Sequence, residues 1–519
     1  MSRVRAPEFP QDRPWLNTAH PLTLRSLRGR FVLLDFWTYG CINCLHISPT
    51  LKYLEQKYRA SLTVIGIHSA KFTNEQELDS IRQAILRYDI AHPVLVDSDF
   101  EVWQQYAVRA WPTLVIIDPA GYVRHSLTGE VSRDRLEALL DELLQNSQTQ
   151  ETLQLKELSF SLEKQQQSLS SPFAFPGKVL VGQVDSEVWL FVADSGHHRL
   201  VMTTLAGEVR HVIGTGEPGL VDGTFSEAQF FAPQGMSLDS SQPILYVADT
   251  ENHALRRVDL KQQRVETIAG TGIQNRLIRP QQGLALETPL NSPWDLVLVG
   301  DRLFIAMAGS HQIWAMHLPT GFIQTYAGTG AEAGVDGEPT QAAFAQSSGI
   351  TTDGQELYVA DSEISSIRAV GLGANYQVRT VCGSGQLFDF GDVDGIGEEV
   401  RLQHCLGITY AQGNLWVADT YNHKIKQVDL STQLCQTRLG YGKSGHHDGQ
   451  GITSAFAEPS GLSVWDNCLY VADTNNHAIR CITLDTLTVT TLAFPGLCTP
   501  TLCFPEFTAS SQMPNQIPN

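Results

Sequence analysis

The chain has 519 residues, of which 42% are hydrophobic and 18% charged, and its formal net charge at pH 7 is -19. This is about three to four times the length of a typical domain, so we expect several domains or a large repeat array, and the ordinary composition argues against a disordered chain. Residues 1–150 hold 16 Lys+Arg and 17 Asp+Glu, which leaves 20 and 38, a charge of -18, for the remainder. Such a surface repels phosphates, so we expect no nucleic-acid partner.

No apolar run approaches the roughly 18 to 20 residues that are needed to cross a bilayer, and the sequence starts with polar residues rather than an apolar signal core. We therefore expect a cytoplasmic protein without a membrane partner. The nine cysteines are an odd number in a long chain. They do not suggest a secreted disulfide framework, so each thiol is judged by its neighbours.

The first part of the chain alternates predicted strands and helices. Apolar runs predict strands at 31–37, 62–68, 94–96, 113–118 and 122–127, and helical spacing predicts helices at 45–58, 74–88 and 132–144. Asn74 is the expected cap of the second helix. This alternation predicts an α/β domain over residues 1–148.

A polar segment follows, and it is rich in Gln, Ser and Thr. We predict a linker over residues 149–171. Within it Leu158, Phe160 and Leu162 alternate at period two, which favours a short strand that augments an edge of the second domain.

The rest of the chain repeats one motif, of the form Val-Ala-Asp, between alternating apolar runs. The third positions of its six copies are separated by 55, 58, 54, 58 and 54 residues, and they are Asp194, Asp249, Met307, Asp361, Asp419 and Asp473. A unit of this length holds four short antiparallel strands, which form one propeller blade. We predict an all-β, six-bladed β-propeller over 172–495 and a tail over 496–519 that contains Cys498 and Cys503 as incidental thiols.

The better copies extend to Asp249–His253, Asp419–His423 and Asp473–His477, and this extended motif resembles the NHL repeat. Five histidines share its register: His198, His253, His311, His423 and His477. They could be metal ligands, but recurrence at one register favours a structural turn in each blade. The repeated Asp-Gly pairs that begin at Asp222, Asp336, Asp394 and Asp448 are also expected to be turns rather than calcium sites. We expect no metal and no cofactor.

Cys41-Ile42-Asn43-Cys44 lies between the predicted strand 31–37 and the helix after it. There the first thiol meets unpaired backbone N–H groups and the positive end of the helix dipole, which favours its thiolate. The spacing lets the second thiol attack a mixed disulfide, so the pair can cycle between dithiol and disulfide. The sequence has no second C-x-x-C or C-x-x-H pair that would complete a zinc site.

The surroundings of the two cysteines resemble the thioredoxin fold, in its redoxin and thiol-disulfide reductase branch. Asp35-Phe36-Trp37 precedes Cys41 at thioredoxin spacing, and Trp111-Pro112-Thr113 matches the cis-proline segment. The resemblance implies that Asp35 is the buried proton acceptor and that Pro112 is a cis residue whose loop packs beside the thiols. Gly40 replaces the Trp that usually stands before the first Cys.

A thiol peroxidase of redoxin type is an alternative, because Thr38-Tyr39-Gly40-Cys41 matches the T-x-x-C part of the peroxiredoxin motif. The match is incomplete. Leu34 stands where that motif begins with Pro, and the Arg that would polarise a peroxide has no clear counterpart near Pro112.

A thioredoxin-like domain followed by an NHL propeller resembles the NHL-repeat-containing protein 2 family. The leading hypothesis is a thiol-disulfide oxidoreductase with catalytic Cys41, Cys44, Asp35 and Pro112, regenerated by a cellular dithiol reductant. Its propeller would recruit a protein or peptide client through the ends of the ring and the central channel, and the -18 charge favours a basic or peptide-like surface. The alternative is a non-enzymatic binding scaffold with an inactive thioredoxin-like domain.

Overall fold

The computed structural model describes residues 4–145, 152–166, 171–373 and 376–498. These residues form an α/β domain of thioredoxin type followed by a six-bladed β-propeller, so the predicted fold class is confirmed. The division of the chain at residues 148, 171 and 495 stays a proposal. Most of the predicted tail, including Cys503, lies outside the described residues.

The first domain is built around the strand Phe31–Trp37, in which all seven residues are buried. This strand pairs in parallel with Leu62–His68 and antiparallel with Thr113–Ile117. Across the described sheet the strand order is Val4–Arg5, Tyr122–Thr128, Thr113–Ile117, Phe31–Trp37, Leu62–His68, Val94–Val96 and Trp15–Leu16. The five predicted strands are all present, and the two short edge strands near the start of the chain were not predicted.

Helices cover both faces of this sheet, which explains why its central strand is an unbroken apolar run apart from Asp35. The described helices are Ile42–Leu45, Ser48–Lys57, Leu78–Arg87, Glu101–Gln105, Arg133–Gln145 and Glu163–Gln166. Ser48–Lys57 and Arg133–Gln145 bury leucines against Phe31 and Leu33 on one face of the sheet.

The helix predicted to begin at Asn74 begins at Leu78, and Asn74–Gln76 forms a 3-10 turn before it. The prediction that Asn74 caps the helix is wrong. The amide nitrogen of its side chain instead donates to Glu458 Oε1 of the propeller at 3.0 Å, and its oxygen contacts His423 Nε2 at 3.0 Å. A tertiary contact has replaced the local cap.

The predicted strand at 158–162 is also wrong, because the described residues 152–166 contain no strand. This segment runs along the first domain rather than the second. The Gln154 N–H donates to the Gly29 carbonyl at 2.6 Å, and Leu158 packs against the apolar core of the first domain. Its alternating apolar residues therefore reflect packing of an extended segment, not ladder pairing.

Each blade of the propeller is an antiparallel sheet of four sequential strands. In blades 1 to 3 the strands are Lys178–Val184, Glu187–Asp194, Arg199–Thr203, Val209–Ile213; Pro233–Asp239, Ile244–Asp249, Ala254–Asp259, Arg264–Ala269; and Pro293–Val299, Arg302–Met307, Gln312–His317, Phe322–Ala327. In blades 4 to 6 they are Ser347–Thr352, Glu356–Asp361, Ser366–Gly371, Val378–Cys382; Gly407–Ala411, Asn414–Asp419, Lys424–Asp429, Leu434–Leu439; and Pro459–Trp465, Cys468–Asp473, Ala478–Thr483, Thr488–Thr491.

A short extra strand covers the outer edge of four described blades, which protects an otherwise exposed edge. These strands are Gly223–Thr224, Gln282–Leu284, Gly395–Ile396 and Gly449–Gln450. The Asp-Gly turns precede or begin three of them. Their carboxylates accept hydrogen bonds from the outer strand, as Asp222 does from the N–H and hydroxyl of Thr267, so they serve as structural turns.

The Asp of the repeated motif is buried in an ion pair inside its blade. In blade 2 the Arg256 guanidinium donates to Asp249 Oδ2 at 2.8 Å, and neither side chain is exposed. Blade 3 lacks both partners: Met307 and Trp314 stand at the equivalent positions and pack in an apolar cluster. Because both charges are absent together, no unpaired charge is left behind.

The first strands of the blades line the axis of the ring. Gly235, Gly349, Gly407 and Gly461 share one register position on these strands, and the equivalent residues in blades 1 and 3 are Lys178 and Asp295. The Lys178 ammonium donates to Asp295 Oδ2 at 2.7 Å, and both side chains are buried. The ion pair joins blade 1 to blade 3 across the channel.

No helix among the described residues is long and apolar enough to cross a membrane.

Candidate functional site

Cys41 and Cys44 lie just beyond the end of the central strand, at the start of the helical turn Ile42–Leu45. Both are free thiols; Cys41 is half-buried and Cys44 is buried. Burial and a hydrogen bond with the Cys41 thiol raise the pKa of Cys44 well above its usual range. The two sulfurs are thus in contact, with Cys41 the more accessible, which is the arrangement that an attacking and a resolving thiol require.

Asp35 lies behind this pair on the central strand and is buried. Burial raises the pKa of Asp35 from 3.8 to about 7, while His92 opposes the shift and Glu55 adds to it. Its Oδ1 atom has no hydrogen-bond partner among the described residues. The Asp35 charge also contributes to the raised pKa of Cys44. A carboxyl group that titrates near neutral pH can accept a proton there.

The Trp111–Pro112 peptide bond is cis, as the resemblance to thioredoxins implied. The Trp111 indole N–H donates to the Ser69 carbonyl at 3.0 Å, and its ring packs on Trp103. Cys41, Cys44 and Trp111 belong to one apolar cluster. The three segments that sequence reasoning assigned to the site are therefore brought together.

The propeller contributes to this site through one position that recurs in every blade. The residues there directly precede the opening of each blade, all have φ between 45° and 62°, and we name them the docking ring: Phe175, Ala232, Ser292, Gln346, His404 and Glu458. Each backbone N–H donates to the turn of the preceding blade, to a His Nδ1 in five cases and to Ser365 Oγ in the blade that lacks the histidine. The turns therefore hold the docking ring in a conformation that non-glycine residues seldom adopt.

This arrangement also explains the repeated histidines. Burial lowers the pKa of His198 to about 4 and that of His253 to about 3, as expected for neutral rings whose Nδ1 accepts a hydrogen bond. A ring nitrogen used in this way is not free to bind a metal. Among the residues that the structure describes, no three His, Cys, Asp or Glu side chains are grouped as metal ligands.

Five docking-ring residues contact the first domain, on the side that carries Cys41. The contacts are Ser292 Oγ with His46 Nε2 at 2.8 Å, the His404 ring with the Phe72 ring at 5.0 Å, Glu458 with Arg87 at 3.1 Å, the Phe175 ring with the Arg87 guanidinium at 5.4 Å, and Gln346 with the backbone beside Cys41. One end of the propeller is therefore occupied by the domain that precedes it.

Gln346 makes the contact nearest to the thiols. Its Nε2 donates to the Gly40 carbonyl at 2.9 Å, and its Oε1 accepts the Ile42 N–H at 2.9 Å. The carboxamide thus holds the backbone on both sides of Cys41. The Ile42 N–H, which we expected to be free for the thiolate, already has an acceptor.

The glycine before Cys41 is explained by the same interface. A Cβ atom on Gly40 would lie 2.9 Å from Glu75 Oε1, 3.1 Å from the Tyr421 hydroxyl and 3.2 Å from His404 Cε1. The Trp that stands here in thioredoxins has no room, because Glu75 of the first domain and two propeller side chains fill the space.

Lys71 is a buried cation of the first domain whose charge interacts with that of Cys41. Burial alone would lower the pKa of Lys71, but the carboxylates of Glu363 and Glu332 outweigh burial and raise it, and the Cys41 charge adds to this. Lys71 Nζ contacts Glu363 Oε2 and lies 3.7 Å from Glu332 Oε1; both carboxylates belong to the propeller. Burial raises the pKa of Glu363 to about 7, against the effect of Lys71.

Sequence reasoning found the two thiols, Asp35 and Pro112 but missed Lys71 and every propeller residue at the site. A signal for the docking ring was present. The residue before the opening of each blade changes from Phe to Ala, Ser, Gln, His and Glu, while the neighbouring motif repeats. A position that varies within a uniform repeat is a candidate for specific contacts.

Comparison with known proteins agrees with both domains. A family profile described as thioredoxin-like matches residues 29–123, and one described as NHL repeat matches 402–428 and 456–482. NHL repeat-containing protein 2 of Homo sapiens is 42% identical over 525 residues, which cover 94% of this chain and 71% of that protein. The Arabidopsis thaliana protein SUPPRESSOR OF QUENCHING 1, chloroplastic, is 43% identical over 497 residues, which cover 92% of this chain and 46% of that protein.

Among solved structures, the crystal structure of a thioredoxin-like superfamily protein matches 28% of this chain and 98% of its own, with 28% identity and a TM-score of 0.26. The human relative, in contrast, aligns through both domains of this chain and over most of its own length. The chain therefore belongs to the NHL repeat-containing protein 2 family.

Proposed function

We propose that the chain is a thiol-disulfide oxidoreductase that acts on a protein or peptide client recruited by the propeller. The observation that carries the proposal is the arrangement of a more accessible Cys41 in contact with a buried Cys44, with Asp35 behind them. A buried thiol with a raised pKa next to a more accessible thiol and a titratable carboxyl group is typical of redox sites.

In the proposed reaction the Cys41 thiolate attacks one sulfur of a client disulfide, and the other client sulfur leaves as a thiolate that takes up a proton. The Cys44 thiol then gives its proton to Asp35 and attacks the Cys41 sulfur, which releases the second client thiol. The products are a reduced client and a Cys41–Cys44 disulfide. A cellular dithiol reductant returns the disulfide to two thiols and becomes oxidised itself.

Equilibration tests this proposal without depending on reaction rates. The full chain is incubated in glutathione buffers of graded ratio and quenched with acid, and its thiols are counted by alkylation and mass spectrometry. We expect reversible formation of a Cys41–Cys44 disulfide, which Cys44→Ser cannot form. Absence of this disulfide at every ratio would contradict the redox function.

Trapping then identifies the client. A Cys44→Ser chain cannot resolve the mixed disulfide, so it should retain clients from a cell extract in a covalent form that dithiothreitol releases. Cys41→Ser is the matched control and should retain none. Equal retention by both variants would mean that other thiols capture the bound proteins.

A binding scaffold is the second candidate, and the contact of Gln346 with both sides of Cys41 favours it. A pair that is sealed between two domains can be structural, and β-propellers commonly bind other proteins through the ends of the ring. Because the first domain covers one end, we propose that a partner meets the opposite end or the blade edges. The net charge of -18 on residues 151–519 favours a basic partner surface, whose attraction weakens with salt.

A cytoplasmic location is also a proposal. The cysteines among the described residues are all free thiols, as is usual in a reducing compartment. The Arabidopsis relative is named as chloroplastic, so cell fractionation is the deciding measurement.

A further inference from the structure

The propeller touches the groups that would activate Cys41. A thiolate is stabilised by nearby cations and by backbone N–H donors. Two such groups act on Cys41: the Lys71 ammonium, whose charge interacts with that of Cys41, and the N–H of the next residue, Ile42. Each is bound by a propeller side chain, Glu363 and Gln346 respectively. The two contacts come from different loops of the propeller and act in the same direction.

We propose that Gln346 and Glu363 are positioning residues that keep Cys41 in a less reactive state while the propeller is docked. Glu363 offsets the charge of Lys71, and Gln346 removes the Ile42 N–H from the surroundings of the sulfur. Displacement of the propeller from the first domain, as a client binds, frees both groups and activates the thiol. The inference rests on the proposed function, because it concerns the regulation of the same redox pair.

Both contacts are made by buried propeller side chains. The Gln346 side chain is buried, and the backbone N–H of Gln346 donates to His311 Nδ1 at 3.0 Å. Glu363 stands at the register of Glu251, Tyr421 and Asn475 in the better copies of the motif. It is buried although its Oε1 has no hydrogen-bond partner among the described residues. A buried carboxylate with one unpaired oxygen costs stability, which suggests that its pairing with Lys71 serves a purpose other than stability.

Other titratable groups surround this position and are common to every variant below. They are Asp35, Cys44 and Glu75 from the first domain and His311, Glu332, His404 and Tyr421 from the propeller. Glu75 is buried and accepts the N–H groups of Gly40 and Lys71, so it is part of the fixed framework.

The test measures the rate constant for alkylation of Cys41 by iodoacetamide from pH 6 to 10, in a full-length Cys44→Ser background. Glu363→Gln and Gln346→Ala should each move the midpoint of the profile to lower pH. If the midpoint falls by one pH unit, the thiolate fraction rises about tenfold and its nucleophilicity falls about threefold, so the rate constant on the acidic side rises about threefold. Glu363→Asp, which keeps the charge, should restore the parent profile.

Gln403→Ala is the matched control, because Gln403 contacts Asn74 at the same interface, away from Cys41. It should leave the midpoint unchanged. Faster alkylation of Glu363→Gln and Gln346→Ala without a shift of the midpoint would overturn the proposal, since it would reflect access of the reagent alone. An equal shift of the midpoint in Gln403→Ala would also overturn it. Alkylation needs no disulfide turnover, so this result is separate from that of the glutathione equilibration.

Discussion

The Asp35→Asn variant should gain stability over the wild type as the pH rises from acidic to alkaline values. Burial raises the pKa of Asp35 from 3.8 to about 7. Between these values the folded state holds a proton that the unfolded state has lost, so wild-type stability falls as the pH rises through this window. The loss reaches about 4 kcal/mol above pH 7, at 1.36 kcal/mol for each pH unit.

Asparagine does not ionise, so the variant escapes this loss. The difference in free energy of unfolding between the variant and the wild type should increase by about 3 kcal/mol from pH 5 to pH 8, because about two pH units of the titration window lie in that range. Urea unfolding of the reduced full chain at both pH values measures the difference. Asp134→Asn is the control, because the Asp134 side chain is exposed. An advantage of the same size at pH 5 and pH 8 would refute the assignment of a raised pKa to Asp35.

Two further substitutions test the interface and the blades. Gly40→Trp should separate the domains, because Tyr421 and His404 of the propeller lie within 3.2 Å of the Cβ position, beside Glu75 of the first domain. Faster proteolysis between the domains and a larger radius of gyration are expected, and an unchanged compact particle would contradict the docking geometry. Arg256→Met should cost about 3 to 5 kcal/mol, because it leaves Asp249 buried and unpaired. Arg256→Met combined with Asp249→Met should recover most of this loss, as blade 3 suggests with Met307 and Trp314; a double variant as unstable as the single one would contradict this account.

Most of the fold could be predicted from the sequence because its signals are local or periodic. The apolar run at 31–37 predicts a strand that is buried on both faces, and six copies of a motif at a regular spacing of more than 50 residues predict the propeller. The failures occurred where a tertiary contact competed with a local signal. Asn74 is a good cap by type, but its side chain binds Glu458 instead, and the alternating residues at 158–162 pack on the first domain rather than pair in a sheet.

The candidate site divides in the same way. The sequence by itself determined the thiol pair, Asp35 and Pro112, because the spacing of these residues within one domain is set by the strands that carry them. Only the tertiary structure brought Gln346 to the backbone next to Cys41 and Glu363 to Lys71, across about 300 residues of chain. Their placement depends on how the whole ring docks on the first domain, and docking is decided by the combined shape and charge of two surfaces. No local pattern or repeat period records that information, so the state of Cys41 is a property of the assembled chain.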